Sequence, residues 1–311
     1  MKKYLYIMLL VFIAGKIFGA GKIISQTPEA LTYRQVDGLE VKVPLKPKRA
    51  IVAYGSLTKI WDLAGGAAVG VPTVLKDALP ESMLKLPRIG SATSPDLEKI
   101  LMLNPDLVLL IAKVQRHRMA AELLRSSGVS TLSVKYDNYK DFYELLDLFC
   151  RINGKTVNDV PEVRKIKAQV SRICDQAKQL KPPTCAVVFA SASGFSLESA
   201  QANTGMIVDM LGAKNIVKDT NAARGNFRYE QLLLDNPDVI VIVTMGNAEG
   251  LREKFRREVT SQPAWQSMSA AKNKRVHFLP SELFLYIPGP DYPRSFKYMA
   301  ELLYPEAEFS L

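Results

Sequence analysis

The sequence has little of what catalytic and metal chemistry usually needs. Its 311 residues include three cysteines and two histidines. Cys150, Cys174 and Cys185 form no C-x-x-C pair and no other metal-ligand spacing. They read as buried apolar thiols; spacing alone leaves a Cys174–Cys185 disulfide open. His117 and His277 stand alone, without the converging carboxylates a zinc or manganese site would want. No metal site and no intrinsic cofactor is therefore expected. There is no G-x-S-x-G elbow, no P-loop and no G-x-G-x-x-G frame, and no enzyme is expected. Nothing is low-complexity. No basic stripe interleaved with aromatics is present either, because the 41 Lys and Arg are scattered among 31 Asp and Glu. Part of the net charge of +10 comes from Lys2, Lys3 and Lys16, in a segment without an acid. Nucleic acid is not an expected partner.

The amino terminus is what that segment explains. Met1-Lys2-Lys3 is a charged start, and Tyr4 to Gly15 is an apolar run too short to span a bilayer. Small residues follow at Gly19-Ala20-Gly21. The pattern is that of a signal peptide over residues 1–21. No Cys lies near it, so no lipobox is visible, and a soluble periplasmic protein is expected.

One stretch occurs twice. Glu98 precedes Asn104-Pro105-Asp106 and the apolar run Leu107 to Ile111. Glu230 precedes Asn236-Pro237-Asp238 at the same offset, followed by Val239 to Val243. A second echo joins Ile60-Trp61-Asp62-Leu63-Ala64-Gly65 to Ile207-Val208-Asp209-Met210-Leu211-Gly212. Internal repeats of this kind point to two related lobes, and the length suits two domains. Around both copies, short apolar runs alternate with helical patterns, the signature of parallel α/β sheets. Leu31 to Pro44 reads as a hairpin turning at Asp37-Gly38.

Between the halves the rhythm changes. Tyr139 to Ile152 is helical, and a longer helix runs from about Asp159 to Leu180. Its apolar residues, Val163, Ile166, Val170, Ile173, Ala177 and Leu180, form one stripe. At 1.5 Å per residue it spans roughly 30 Å, about a domain's width. The predicted organisation is an amino-terminal lobe at 22–138, linking helices at 139–182 and a carboxy-terminal lobe at 183–311.

Several segments then carry a resemblance. Asp37-Gly38-Leu39-Glu40-Val41-Lys42-Val43-Pro44 with Pro47-Lys48-Arg49-Ala50-Ile51-Val52 resembles the opening of helical-backbone periplasmic binding proteins. These are the receptors of ferric-siderophore, haem and vitamin B12 ABC importers. Pro87-Arg88-Ile89-Gly90, the Glu98 motif, Leu211-Gly212-Ala213-Lys214-Asn215, Gln262-Pro263-Ala264-Trp265, Lys272-Asn273-Lys274-Arg275-Val276 and Leu303-Tyr304-Pro305-Glu306 are similar too, in the same order. The resemblance covers residues 33–306. It implies two Rossmann-like lobes joined by one long backbone helix, with a ligand cleft between them. It also implies that Glu98 and Glu230 meet arginines of two permease subunits. A carboxylate in the first turn of a helix is stabilised there, and Arg–carboxylate pairing orients both partners.

The ligand is expected between the lobes, where strand carboxy-terminal ends and their loops face each other. The first lobe offers Tyr54, Ser56, Thr73, Ser91, Lys113, Arg116 and His117. The second offers Ser193, Phe195, Arg224, Phe227, Asn247 and Tyr286. Lys113, Arg116 and Arg224 together would favour an anion, and Arg224, next to Gly225, is the leading candidate. Ser91 and Ala92 stand where haem receptors often carry Tyr and B12 receptors Trp. The expected ligand order is a ferric siderophore, then an oxyanion such as molybdate or tungstate, then cobalamin or haem. A monomer working with ABC permease subunits is expected. The alternative from another class is an α/β oxidoreductase of nitrogenase-like or dehydrogenase-like type using the same cleft.

Overall fold

The structure is a computed structural model, and it describes residues 21–74, 79–217 and 222–311. The expected signal peptide lies outside these residues, apart from Gly21.

Two apolar runs fix the centre of each sheet. In the first, Ala50–Val52, Leu107–Ile111 and Thr131–Val134 pair side by side and parallel, with Val108 opposite both Ile51 and Thr131. In the second, Thr184–Ser191 and Val239–Met245 pair parallel from Cys185↔Val239 to Ser191↔Met245. Runs without polar alternation are what a strand covered on both faces requires. Their side chains divide by the period of two. Leu107, Leu109 and Ile111 join one core cluster, while Val108 and Leu110 join another on the opposite face. Likewise Val187, Phe189, Val241 and Val243 face the first cluster, and Ala186, Val188, Ile240 and Ile242 face a third. One continuous core therefore touches the inner faces of both sheets.

The second sheet is mixed where a parallel one was predicted. Gly194–Glu198 runs back antiparallel to Thr184–Ser191, and Arg224–Asn226 pairs antiparallel outside it. Val276–Phe278 closes the other edge parallel to Val239–Met245. The amino-terminal hairpin is Ala30–Arg34 with Glu40–Pro44, turning at Gly38 with φ 84. A third strand, Lys22–Gln26, pairs with it. Val71–Thr73, Arg88–Ser91 and Ser94–Pro95 form a further small sheet. Ser94 and Pro95 thus pair as a strand, and Asp96 caps the Glu98 helix by accepting the Lys99 N–H at 3.2 Å.

The repeated Asn-Pro-Asp has a structural meaning in both copies. Asn104 and Asn236 take left-handed backbone angles, φ 44 and 41, and end their helices, as Asn tolerates. Proline then blocks continuation. The aspartate reaches to the start of the neighbouring strand. Asp106 accepts the N–H groups of Lys48 and Arg49 at 2.6 and 3.0 Å, and Asp238 accepts that of Thr184 at 2.8 Å. The second echo holds as well: Gly65 and Gly212 end their helices with φ 77 and 81.

The two helices expected to link the lobes are Tyr139–Ile152, capped by Asn138, and Pro161–Ala177. The latter has 17 residues, about 26 Å at 1.5 Å each, and is shorter than predicted. It starts at Pro161 because proline suits a first helical position. It stops early because the chain tightens into a turn, Leu180 N–H to Ala177 carbonyl, ahead of Pro182-Pro183. Val163, Ile166, Val170, Ile173, Cys174 and Ala177 are buried along it, and the helix Tyr292–Leu303 lies against it. All three cysteines are free and buried. Burial pushes the Cys150 and Cys174 thiols up to about 11 and Cys185 to about 12.

Candidate ligand face and docking carboxylates

Several of the residues expected to bind are already engaged by other groups of the protein. Tyr54 follows Ala50–Val52 and meets His117 edge-on, with ring centroids 5.9 Å apart. His117 is fully buried. Its Nδ1 accepts the Ile111 N–H at 3.2 Å, so Nε2 carries the proton and donates to the Ala92 carbonyl at 3.0 Å. Burial pulls its pKa down to about 4, although the Ala92 carbonyl works the other way. His117 is a neutral tie between a strand end and the Ser91–Ser94 turn. Thr73 and Ser91 are exposed and lie opposite each other in paired strands, and Ser56 is half-buried in the helix Gly55–Leu63.

The three cations differ in their partners. Lys113 Nζ lies 3.0 Å from the Asp137 carboxylate and donates to the Tyr136 carbonyl at 3.3 Å. Arg116 donates to Ser94 Oγ at 2.9 Å and has no carboxylate partner among the described residues. Arg224 donates through Nε and Nη2 to Glu198 Oε1, at 3.0 and 2.9 Å. Its guanidinium carbon also lies 3.4 Å from the centre of the Phe189 ring. The register explains this arrangement: Glu198 is the direct cross-strand partner of Arg224, and Ser196 is that of Phe189. Phe189, Glu198 and Arg224 thus share the sheet face that looks onto the common core. Glu198 is buried to 3% exposure. Burial raises its pKa, against the pull of Arg224 and Thr204 beside it. Its other oxygen, Oε2, has no hydrogen-bond partner among the described residues.

The same alternation separates the expected aromatics from Arg224. Phe195 lies on the opposite face, with Phe227 at 5.7 Å and Phe255 at 5.5 Å between ring centroids. Phe195 and Phe227 therefore belong to the outer core of the second sheet. Ser193 bonds to Ser191 at 2.8 Å, and Asn247 caps the helix Ala248–Phe255 by accepting the Gly250 N–H. Tyr286 is exposed. A Cβ on Gly225 would meet nothing within 4 Å, but Gly225 pairs with Leu197, on the face opposite Arg224.

Sequence reasoning missed Glu198, Phe189 and Asp137. The alternating Phe195-Ser196-Leu197-Glu198 after Gly194 was the available signal for a returning strand. Elsewhere, Lys59 pairs with Asp291 at 3.0 Å, and the Tyr292 hydroxyl donates to Asn203 at 2.9 Å. Two concavities, about 480 and 800 Å³, lie elsewhere, and neither is lined by any of the expected residues. Among the described residues, no group of three or more His, Cys, Asp or Glu is placed to hold a metal.

Glu98 and Glu230 are both exposed, each in the first turn of a short helix, Leu97–Met102 and Tyr229–Asp235. No helix among the described residues is long and apolar enough to cross a membrane.

The chain is similar to several known proteins. The high-affinity heme uptake system protein IsdE of Staphylococcus aureus is 23% identical over 263 residues, covering 83% of this chain and 88% of that protein. An ABC transporter substrate-binding protein from Listeria monocytogenes superposes with a TM-score of 0.70 at 24% identity, covering 84% of this chain and 99% of its own. The petrobactin-binding protein YclQ of Bacillus subtilis superposes with a TM-score of 0.67 at 23% identity, covering 88% and 97%. Residues 51–283 match the periplasmic binding protein family, so the chain belongs to that family and is a non-enzymatic substrate-binding protein.

Proposed function

We propose that this chain is the substrate-binding protein of an ABC importer, and that it captures a ferric siderophore and delivers it to an inner-membrane permease. The observation that carries the reading is family membership joined to two exposed glutamates in matched first turns. In this reading residues 22–138 and 183–311 are two α/β lobes. The segment 139–182 links them, and the helix Pro161–Ala177 restricts closure to small hinge motions. Glu98 and Glu230 each dock on one permease subunit. The ligand lies between the lobes against Arg224, Arg116, Tyr54 and Tyr286. The protein works in the periplasm after loss of residues 1–21. A petrobactin-binding protein among the structural neighbours supports the siderophore class.

A second reading, haem, is favoured by the relative named for heme uptake. The buried, doubly bonded His117 is not available as an iron ligand in it.

Thermal unfolding with ferric siderophores, haem, cobalamin, molybdate and tungstate tests both. A true ligand at 100 times its Kd adds about 2.7 kcal/mol. Stabilisation by haem alone would select the second reading, and no shift with any of the panel would remove both.

A further inference from the structure

Met102 and Leu234 are the most exposed large apolar side chains among the described residues, at 84% and 79%. They stand at the same place in the two copies of the repeated stretch. Each lies four residues after its glutamate, Glu98 or Glu230, and two before its left-handed asparagine, Asn104 or Asn236. A single exposed methionine or leucine is ordinary on a protein surface. Two at matched positions, each beside a matched acid, are not accounted for in that way. Met119 and Leu123 show the contrast. They are 55% and 54% exposed on the helix Gln115–Ser126, but the helix after the corresponding strand, Ala248–Phe255, exposes no large apolar side chain.

The helix period decides which way these residues face. Ile100 and Leu232 are fully buried and seat each short helix on its core. At about 100° per residue, positions two before and two after them lie on the far side of the helix axis. Glu98 and Met102, and likewise Glu230 and Leu234, therefore share the face turned away from the core, one turn apart. Leu101, 43% exposed, extends the apolar part of the first copy. The other polar neighbours differ between the copies. Lys99 pairs with Asp96 at 3.4 Å in the first. In the second, Gln231 donates to Asp235 at 3.1 Å, and Arg228 stands exposed ahead of the helix. What repeats on the outward face is an acid and an apolar side chain. Neither glutamate has an ion-pair partner among the described residues.

We infer that Met102 and Leu234 are apolar anchors of a docking surface, and that each enters a pocket on the partner one helical turn from a cation that meets the glutamate. The pattern occurs twice, so the partner presents the same pocket and cation twice, as two like subunits do. The occupant is the pair of permease subunits, and the inference rests on the reading of Glu98 and Glu230 as docking residues. The two kinds of side chain divide the work. Charges across an interface guide encounter and fix orientation, and salt screens them. Apolar side chains taken out of water stabilise the complex whatever the salt concentration of a physiological buffer.

The test is binding of the purified protein to right-side-out inner-membrane vesicles from cells carrying its permease, against vesicles from cells lacking it. The Met102→Gln, Leu234→Gln double variant should bind the permease vesicles at least about tenfold more weakly. Its urea unfolding should match wild type, because both side chains are exposed. Its affinity should fall with salt as steeply as that of wild type, whereas Glu98→Gln with Glu230→Gln should flatten the salt dependence. Met119→Gln with Leu123→Gln should leave binding unchanged. Unmoved binding in the Met102, Leu234 variant, with loss in the glutamate variant, overturns the anchors and leaves the docking glutamates in place. An equal loss in the Met119, Leu123 variant also overturns them, since exposure and not the repeat would then decide. If wild type binds both kinds of vesicle alike, the docking reading falls and the inference falls with it.

Discussion

Asp238 and Thr184 hold each other by three hydrogen bonds across adjacent parallel strands. The Asp238 carboxylate accepts the Thr184 N–H and hydroxyl, both at 2.8 Å, and the Thr184 hydroxyl accepts the Asp238 N–H at 3.0 Å. Burial works to raise the Asp238 pKa, but these bonds and the nearby Arg275 hold it below the ordinary carboxylate value. Asp106 does the same work in the first copy on Lys48 and Arg49. Asp238→Ala and Asp106→Ala should each cost about 1–3 kcal/mol, because each strands backbone donors at a strand start. Thr184→Ala combined with Asp238→Ala should cost less than the sum of the single changes. Urea unfolding measures all of these, and additive costs at Thr184 and Asp238 would refute the coupling.

His117 makes stability pH-dependent in a defined direction. The fold keeps the ring neutral with a pKa of about 4, whereas the unfolded chain titrates near 6.5. The unfolded state therefore binds more protons between these values. The contribution is complete above pH 6.5 and is lost as pH falls toward 4, amounting to roughly 3 kcal/mol. His117→Gln keeps an acceptor and a donor but cannot titrate. Its stability should fall less than that of wild type between pH 6.5 and pH 4. Parallel pH profiles for the two proteins would show that the ring does not report this burial.

How much of this was legible before folding follows from where the information sits. The central strands and the helix Tyr139–Ile152 could be read because burial on both faces, or along one stripe, leaves a local periodic trace. The two Asn-Pro-Asp copies were visible as a repeat, although their meaning as clamps needed the neighbouring strand. Gly194–Glu198 and Arg224–Asn226 were not read as strands, since they are short, polar and defined by pairing across some 26 residues. That omission spread to the site. Without the strand period, Phe195 and Arg224 looked like neighbours on one cleft wall, and Arg224 looked like a free cation. The partner that neutralises it, Glu198, carries no local sign that it is buried.

The docking proposal makes a prediction that separates delivery from capture. Glu98 and Glu230 are exposed, and reversing each charge removes one favourable interaction with its helix amino terminus, below about 1 kcal/mol. The Glu98→Arg, Glu230→Arg double variant should fold and bind its chelate with unchanged Kd. Uptake of radioactive iron by cells depending on this receptor should drop at least about tenfold. A collapse of affinity in the double variant would place the two glutamates at the ligand and not at the permease.

Phe195 offers the opposite dissociation. It lies on the outer face of the second sheet, with Phe227 and Phe255 against it and Lys254 Nζ 5.6 Å from its ring centre. Arg224 lies over Phe189 on the inner face. Truncation of Phe195 to Ala removes ring contacts from a half-buried position. It should cost about 2 kcal/mol, less than the 3–5 kcal/mol of a fully buried ring. Since the strand separates Phe195 from Arg224, the Kd for whichever chelate stabilises wild type should stay within about twofold. Denaturant unfolding and equilibrium binding on the same preparation decide the matter. If affinity falls while stability holds, ligand reaches the outer face of the sheet, and the binding surface has to be moved from Arg224 to the ring cluster around Phe255.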